Sequence, residues 1–140
     1  YEAFMHGPSE QIEFFHGYTY SGHPLATAAA VATMDIYDQE GLFERSQELA
    51  PYFEEAVHSL KGMPHVIDIR NFGLMCGVEL APAAGHPGKR AYETFLKCYD
   101  KGVLVRSAGE TIALTPPLIA TRKDVDQIVG TLGEALKAAK

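Results

Sequence analysis

Apolar residues recur along this chain with two different periods, and the change between them sets out its elements. Pro24 suits the first position of a helix, and Ala at 26, 28, 29, 30 and 32 favours helical backbone, so a helix is predicted over about 24–39. Gly41 separates it from a second helix, in which Leu42, Leu49, Phe53, Val57 and Leu60 form one stripe at helical spacing. Pro51 lies within that helix and is expected to kink it, because it lacks an N–H and crowds the carbonyl one turn back.

After Gly62 the period drops to two. Ile67 and Ile69 alternate with Val66, Asp68 and Arg70, and Leu74, Cys76, Val78 and Leu80 alternate with Met75, Gly77 and Glu79. These are two strands joined at Asn71-Phe72-Gly73. A Pro/Gly/Ala loop from Ala81 to Gly88 leads to a helix over about 88–101, with Tyr92, Phe95, Leu96 and Tyr99 on one side. Two short strands are predicted next, Val103–Arg106 and Thr111–Leu114, separated by Ala108-Gly109-Glu110. Thr121 with Asp124 makes a capping-box start for a last helix, whose apolar face is Val125, Ile128, Val129, Leu132 and Leu136. This order predicts an α+β fold, a small and mainly antiparallel sheet covered by helices.

Composition narrows the classes without choosing among them. The 140 residues are 46% hydrophobic and 21% charged, an ordinary globular balance for about one domain. No apolar run approaches the ~20 residues of a membrane helix, so no membrane partner is expected. The net charge is −6 and the 12 basic residues form no cluster, which argues against nucleic acid. Cys76 and Cys98 sit in apolar stretches without metal-type spacing, so a reducing, cytoplasmic location is expected.

Two places could carry chemistry. The block His16-Gly17-Tyr18-Thr19-Tyr20-Ser21-Gly22-His23-Pro24 places Gly residues and hydroxyls immediately before a helix. Backbone N–H groups in such a turn, with the helix dipole beside them, suit a phosphate or carboxylate. The same residues equally suit a helix-entry loop that satisfies only its own backbone. His16 and His23 lack a further ligand set, so turn hydrogen bonding outweighs metal binding there. Arg106 ends the apolar run Val103-Leu104-Val105. From a strand end its planar fork could hold a carboxylate, or it could be solvated or paired with Glu110.

Three blocks taken together are more specific. Phe15 through Pro24 followed by an Ala-rich helix resembles the class III (ω-)aminotransferases, pyridoxal-phosphate enzymes of fold type I. Asn71-Phe72-Gly73-Leu74-Met75-Cys76-Gly77-Val78-Glu79-Leu80 resembles the hairpin of that family's C-terminal domain, and Gly102 to Arg106 with Thr111 to Leu118 resembles its last strand pair. The blocks stand in family order and spacing over essentially the whole chain, and the nearest subgroup is the ω-amino acid (β-alanine):pyruvate aminotransferases.

The resemblance implies an enzyme that moves an amino group from an ω-amino acid or amine to pyruvate or a similar keto acid. It implies that Thr19, assisted by the backbone of Tyr18, binds the phosphate of pyridoxal 5'-phosphate in a neighbouring subunit of a homo-oligomer, dimer or tetramer. It implies that Arg106 holds the substrate carboxylate. It also divides the chain into residues 1–23, part of the large cofactor domain, and 24–140, the small domain with its connecting helix. The family's Schiff-base Lys has no match among Lys61, Lys89, Lys97, Lys101, Lys123, Lys137 and Lys140. The start at Tyr1 without a Met points the same way, to the C-terminal segment of a longer enzyme whose catalytic Lys lies upstream. The competing expectation is a stand-alone α+β module that binds a small ligand or a protein and has no catalytic activity.

Overall fold

The computed structural model describes residues 2, 6, 7 and 17–139, which fall into two compact units, Tyr1–Ile36 and Tyr37–Lys140. Pro8, Ser9, Phe14, Phe15 and His16, which carry part of the loop and motif readings, lie outside the described residues. In the first unit a turn over 19–22 leads into α1 (Pro24–Gln39), and Gly22 takes a positive φ of 75° to make the turn. No side chain of α1 is buried.

In the second unit Gly41 takes the left-handed region (φ 57°) as the residue that precedes α2 (Leu42–His58). The predicted stripe is the buried face of this segment, with Phe53 and Val57 fully enclosed and Leu60 just beyond the helix end. The helix continues through Pro51, whose missing N–H leaves the Gln47 carbonyl without its usual partner.

Four strands follow in the spatial order β1-β2-β4-β3, all antiparallel: β1 (Val66–Phe72), β2 (Met75–Leu80), β3 (Arg106–Ala108) and β4 (Thr111–Leu114). The first hairpin turns one residue later than its sequence suggests. Phe72 pairs with Met75 across Gly73-Leu74, and Gly73 supplies the positive φ of 55°. The alternation in β1 also departs from expectation at Ile67. Val66 pairs with Leu80 and Asp68 with Glu79, so Ile67 is the extra residue of a bulge and stands 59% exposed. The bulge brings Val66 and Ile69 to the core side together.

The third strand is displaced from the predicted Val103–Arg106 to Arg106–Ala108. Its register with β4 sets Arg106 opposite Ala113, and continuing it would set Val103 opposite Pro116, which has no N–H to donate. Val103 and Val105 are still buried, without a ladder.

Three helices cover one face of the sheet: α2, α3 (Lys89–Asp100) and α4 (Arg122–Lys137). Cys76, Val78, Leu80, Ile112 and Leu114 project from the strands into the shared core. The aromatic side of α3 is not its buried side. Ala91, Thr94 and Cys98 face the core, small residues that let the helix sit close, while Tyr92, Leu96 and Tyr99 remain exposed. Arg90 is buried, and its guanidinium donates to the Ala81 carbonyl, tying down the loop before the helix. The predicted cap of α4 is present in full: Thr121 Oγ1 accepts from the Asp124 N–H at 3.3 Å, and Asp124 Oδ2 accepts from the Thr121 N–H at 2.8 Å.

Candidate functional site

Strand pairing decides which way Arg106 points. Its neighbour Ser107 pairs with the fully buried Ile112, so Ser107 turns to the helix-covered side and Arg106 to the open side. Arg106 shares a row with Ala113 of β4, Gly77 of β2 and Arg70 of β1. The two arginines at the ends of this row have different surroundings. Arg70 donates to Asp68 at 3.0 Å and Glu79 at 2.7 Å and reaches Thr111 at 3.4 Å, lying across the bare Cα of Gly77. It is a neutralised structural charge. Arg106 is exposed and has no hydrogen bond or ion pair to a described residue.

Glu110 does not pair with Arg106. Its carboxylate instead accepts the backbone N–H of Gly88 at the start of α3. That leaves the Arg106 guanidinium open to an external anion. Beside it lies a cavity of about 590 Å³ whose apolar wall includes Tyr92, Phe95, Leu104, Pro116, Pro117 and Ile128. An unpaired guanidinium at the rim of an apolar hollow suits a small carboxylate with a nonpolar body: the fork binds two oxygens, and the wall meets the nonpolar part. The aromatic side of α3 anticipated Tyr92 and Phe95, but no local signal in the sequence connects that helix to Arg106, because only the packing of α3 against β3 brings them to one cavity.

The other predicted group, Tyr18 with Thr19, occupies the turn before α1. The Ser21 N–H donates to the Tyr18 carbonyl at 2.9 Å and the His23 N–H to the Tyr20 carbonyl at 3.3 Å. These bonds close the turn and leave the Thr19 hydroxyl, exposed, without a protein partner among the described residues. A free hydroxyl on a turn at a helix entrance is a donor set that fits a phosphate. Thr27 Oγ1 donates back to the His23 and Pro24 carbonyls, so that hydroxyl is used within the helix. Among the described residues no three His, Cys, Asp or Glu side chains are grouped to hold a metal, and no helix is long and apolar enough to cross a membrane. None of the described lysines lines the cavity; Lys97 and Lys101 reach instead to the Ala138 carbonyl and Glu134 near the end of α4.

The family model described as aminotransferase class-III matches residues 1–136. An omega-aminotransferase of Caulobacter vibrioides is 48% identical over 136 residues, covering 97% of this chain and 31% of that protein. A beta-alanine--pyruvate aminotransferase of Pseudomonas aeruginosa is 42% identical over 138 residues, again 97% of this chain and 31% of the relative. The chain thus spans about a third of the length of the curated relatives it matches. Among solved structures, the adenosylmethionine-8-amino-7-oxononanoate aminotransferase from Methanocaldococcus jannaschii superposes with a TM-score of 0.81 at 33% identity, over 99% of this chain and 33% of that one.

Proposed function

The chain belongs to the class-III aminotransferase family, and from that footing we propose that it forms part of an enzyme transferring an amino group from an ω-amino acid or amine to pyruvate or a similar keto acid. The observation that carries this reading is the unpaired Arg106 at the rim of an apolar cavity, within a chain whose relatives include ω-amino acid:pyruvate aminotransferases. Enzymes of this family use pyridoxal 5'-phosphate. When bound, the cofactor supplies the aldehyde and the electron-withdrawing ring on which an amino group is exchanged.

The residues of this chain bind and orient. Arg106 takes the substrate carboxylate in its fork, and two parallel charged hydrogen bonds fix the acid's direction as well as its position. Phe95, Leu104 and the Pro116-Pro117 pair offer an apolar wall beside the guanidinium for the nonpolar part of the acid. Thr19 donates its hydroxyl to the cofactor phosphate, with the Tyr18 backbone beside it, and in this reading the phosphate belongs to the neighbouring subunit of a homodimer or larger assembly. None of the lysines is assigned the Schiff-base role; we place that role in the part of the relatives' length that this chain does not match. Residues 1–23 are read as part of the large cofactor domain and 24–140 as the small domain with its connecting helix. The two free, buried cysteines support a reducing compartment, the cytoplasm.

The test is Arg106→Ala in the pyridoxal-phosphate-loaded enzyme. The KM for pyruvate is expected to rise about ten- to hundredfold, because hydrogen bonds to a charged group contribute about 1.5–3 kcal/mol and each 1.4 kcal/mol is tenfold. Cofactor absorbance should be retained. An unchanged pyruvate KM overturns the assignment.

A further inference from the structure

The turn that follows Arg106 is held by a contact that strand pairing does not require. Glu110 is the second residue of the two-residue loop Gly109-Glu110, since Ala108 pairs with Thr111. Its carboxylate Oε1 accepts a hydrogen bond from the backbone N–H of Gly88, the residue that precedes the first turn of α3. Its own backbone carbonyl accepts from the Leu80 N–H at 2.9 Å, at the end of β2. One residue therefore joins the β3–β4 loop to the end of one strand and the start of one helix. Backbone meets backbone at this junction: a Cβ on Gly88 would already touch the Gly109 carbonyl, at 3.7 Å, and Gly88 has a φ of 76° that side chains rarely adopt.

The hairpin needs such a hold. The third strand is three residues long and lies at the sheet edge, with β4 as its one partner among the described residues. Arg106 is the first of those residues, where the ladder ends. A short edge strand can twist or slide by a fraction of an ångström at little cost, and such a shift moves a guanidinium out of register with a bidentate carboxylate. The carboxylate on the Gly88 N–H removes that freedom, favoured by its charge and by the dipole of the helix it faces. Fold stability alone does not account for the contact, because the second carboxylate oxygen, Oε2, is buried and has no partner among the described residues.

We propose that Glu110 is a positioning residue for Arg106: by clamping the β3–β4 loop to the start of α3, it holds the guanidinium where a substrate carboxylate meets two of its nitrogens. This rests on the reading of Arg106 as the carboxylate binder.

The experiment compares Glu110→Ala, Glu110→Gln, Arg106→Ala and the Glu110→Ala/Arg106→Ala pair in the pyridoxal-phosphate-loaded enzyme. The readouts are pyruvate, an amine donor without a carboxylate, and the thermal midpoint. Glu110→Ala is expected to raise the pyruvate KM about tenfold while kcat and the KM of the amine donor stay near parent values. Glu110→Gln keeps an acceptor oxygen for the Gly88 N–H and should restore most of the pyruvate KM. Beside Arg106→Ala, the Glu110 change should add nothing, since the group it positions is gone. If Glu110→Ala does not fold, Glu110→Asp serves instead, because its shorter side chain loses the reach to Gly88. A parent-like pyruvate KM in Glu110→Ala, with a raised one in Arg106→Ala, overturns the positioning role and leaves the carboxylate reading standing. Equal losses for pyruvate and the amine donor, together with a lowered thermal midpoint, also overturn it, as a structural effect. A parent-like pyruvate KM in Arg106→Ala sinks both.

Discussion

Arg106 of β3 stands directly opposite Ala113 of β4, so the methyl group across the ladder leaves the guanidinium neither crowded nor neutralised. At the other end of the same row Arg70 meets Glu79 and Asp68, and the contrast shows how one sheet face holds a spent charge and an available one.

Ala113 is consequently the position at which the available charge can be switched off. Ala113→Glu places a carboxylate directly across from Arg106, with Cβ atoms about 5 Å apart. The pyruvate KM should rise about tenfold or more through competition for the fork, and donors without a carboxylate should be little affected. Steady-state kinetics with both substrate types checks this.

Thr19→Ala removes one phosphate donor from the turn before α1. At limiting pyridoxal phosphate the variant should retain less cofactor, by about tenfold or more in affinity for the loss of one charge-assisted bond. Thr19→Ser keeps the hydroxyl and should restore occupancy. Equal occupancy in Thr19→Ala and parent after dialysis counts against the role.

The cap of α4 gives a stability prediction with a defined pH sign. The Thr121 hydroxyl, and after it the Thr121 N–H, hold the Asp124 carboxyl below its ordinary value of 3.8. A carboxyl depressed in the folded state adds stability at pH above that value and loses it as pH falls below it. Thr121→Ala should cost about 1 kcal/mol in chemical denaturation near neutral pH. The difference between variant and parent should shrink on the acid side of 3.8.

Both thiols should be unreactive in the folded protein. Burial pushes the Cys76 and Cys98 thiols up to about 11, so little thiolate exists at pH 8. A thiol reagent such as DTNB should titrate neither residue in native protein and both once urea is added. Fast reaction of either in the native state would falsify their placement in the core.

Much of this molecule is legible in its sequence. The stripes of α2 and α4 and the Thr121/Asp124 cap rest on residues one helical turn apart, and the β1–β2 hairpin on neighbours across a two-residue loop. Such contacts are local, so side-chain type and period suffice to specify them. The candidate residues Thr19 and Arg106 were also visible, the first from a helix-entry turn and the second from an apolar run ending in a cation.

Tertiary structure decided what depends on the opposite partner. The apolar run at 103–105 looks like a strand, yet the residue that would face Val103 is Pro116, and the ladder begins only at Arg106. Ile67 fits the alternation, but a bulge against Leu80 and Glu79 turns it outward. Nothing near Glu110 in sequence announces that its carboxylate belongs to Gly88 rather than to the nearer Arg106. Chain pattern determines the apolar faces of α2 and α4 and the cap that starts α4, because those follow from local hydrogen bonding and burial. It leaves open which charge is spent and which is free, because that depends on the residue a fold places across the ladder.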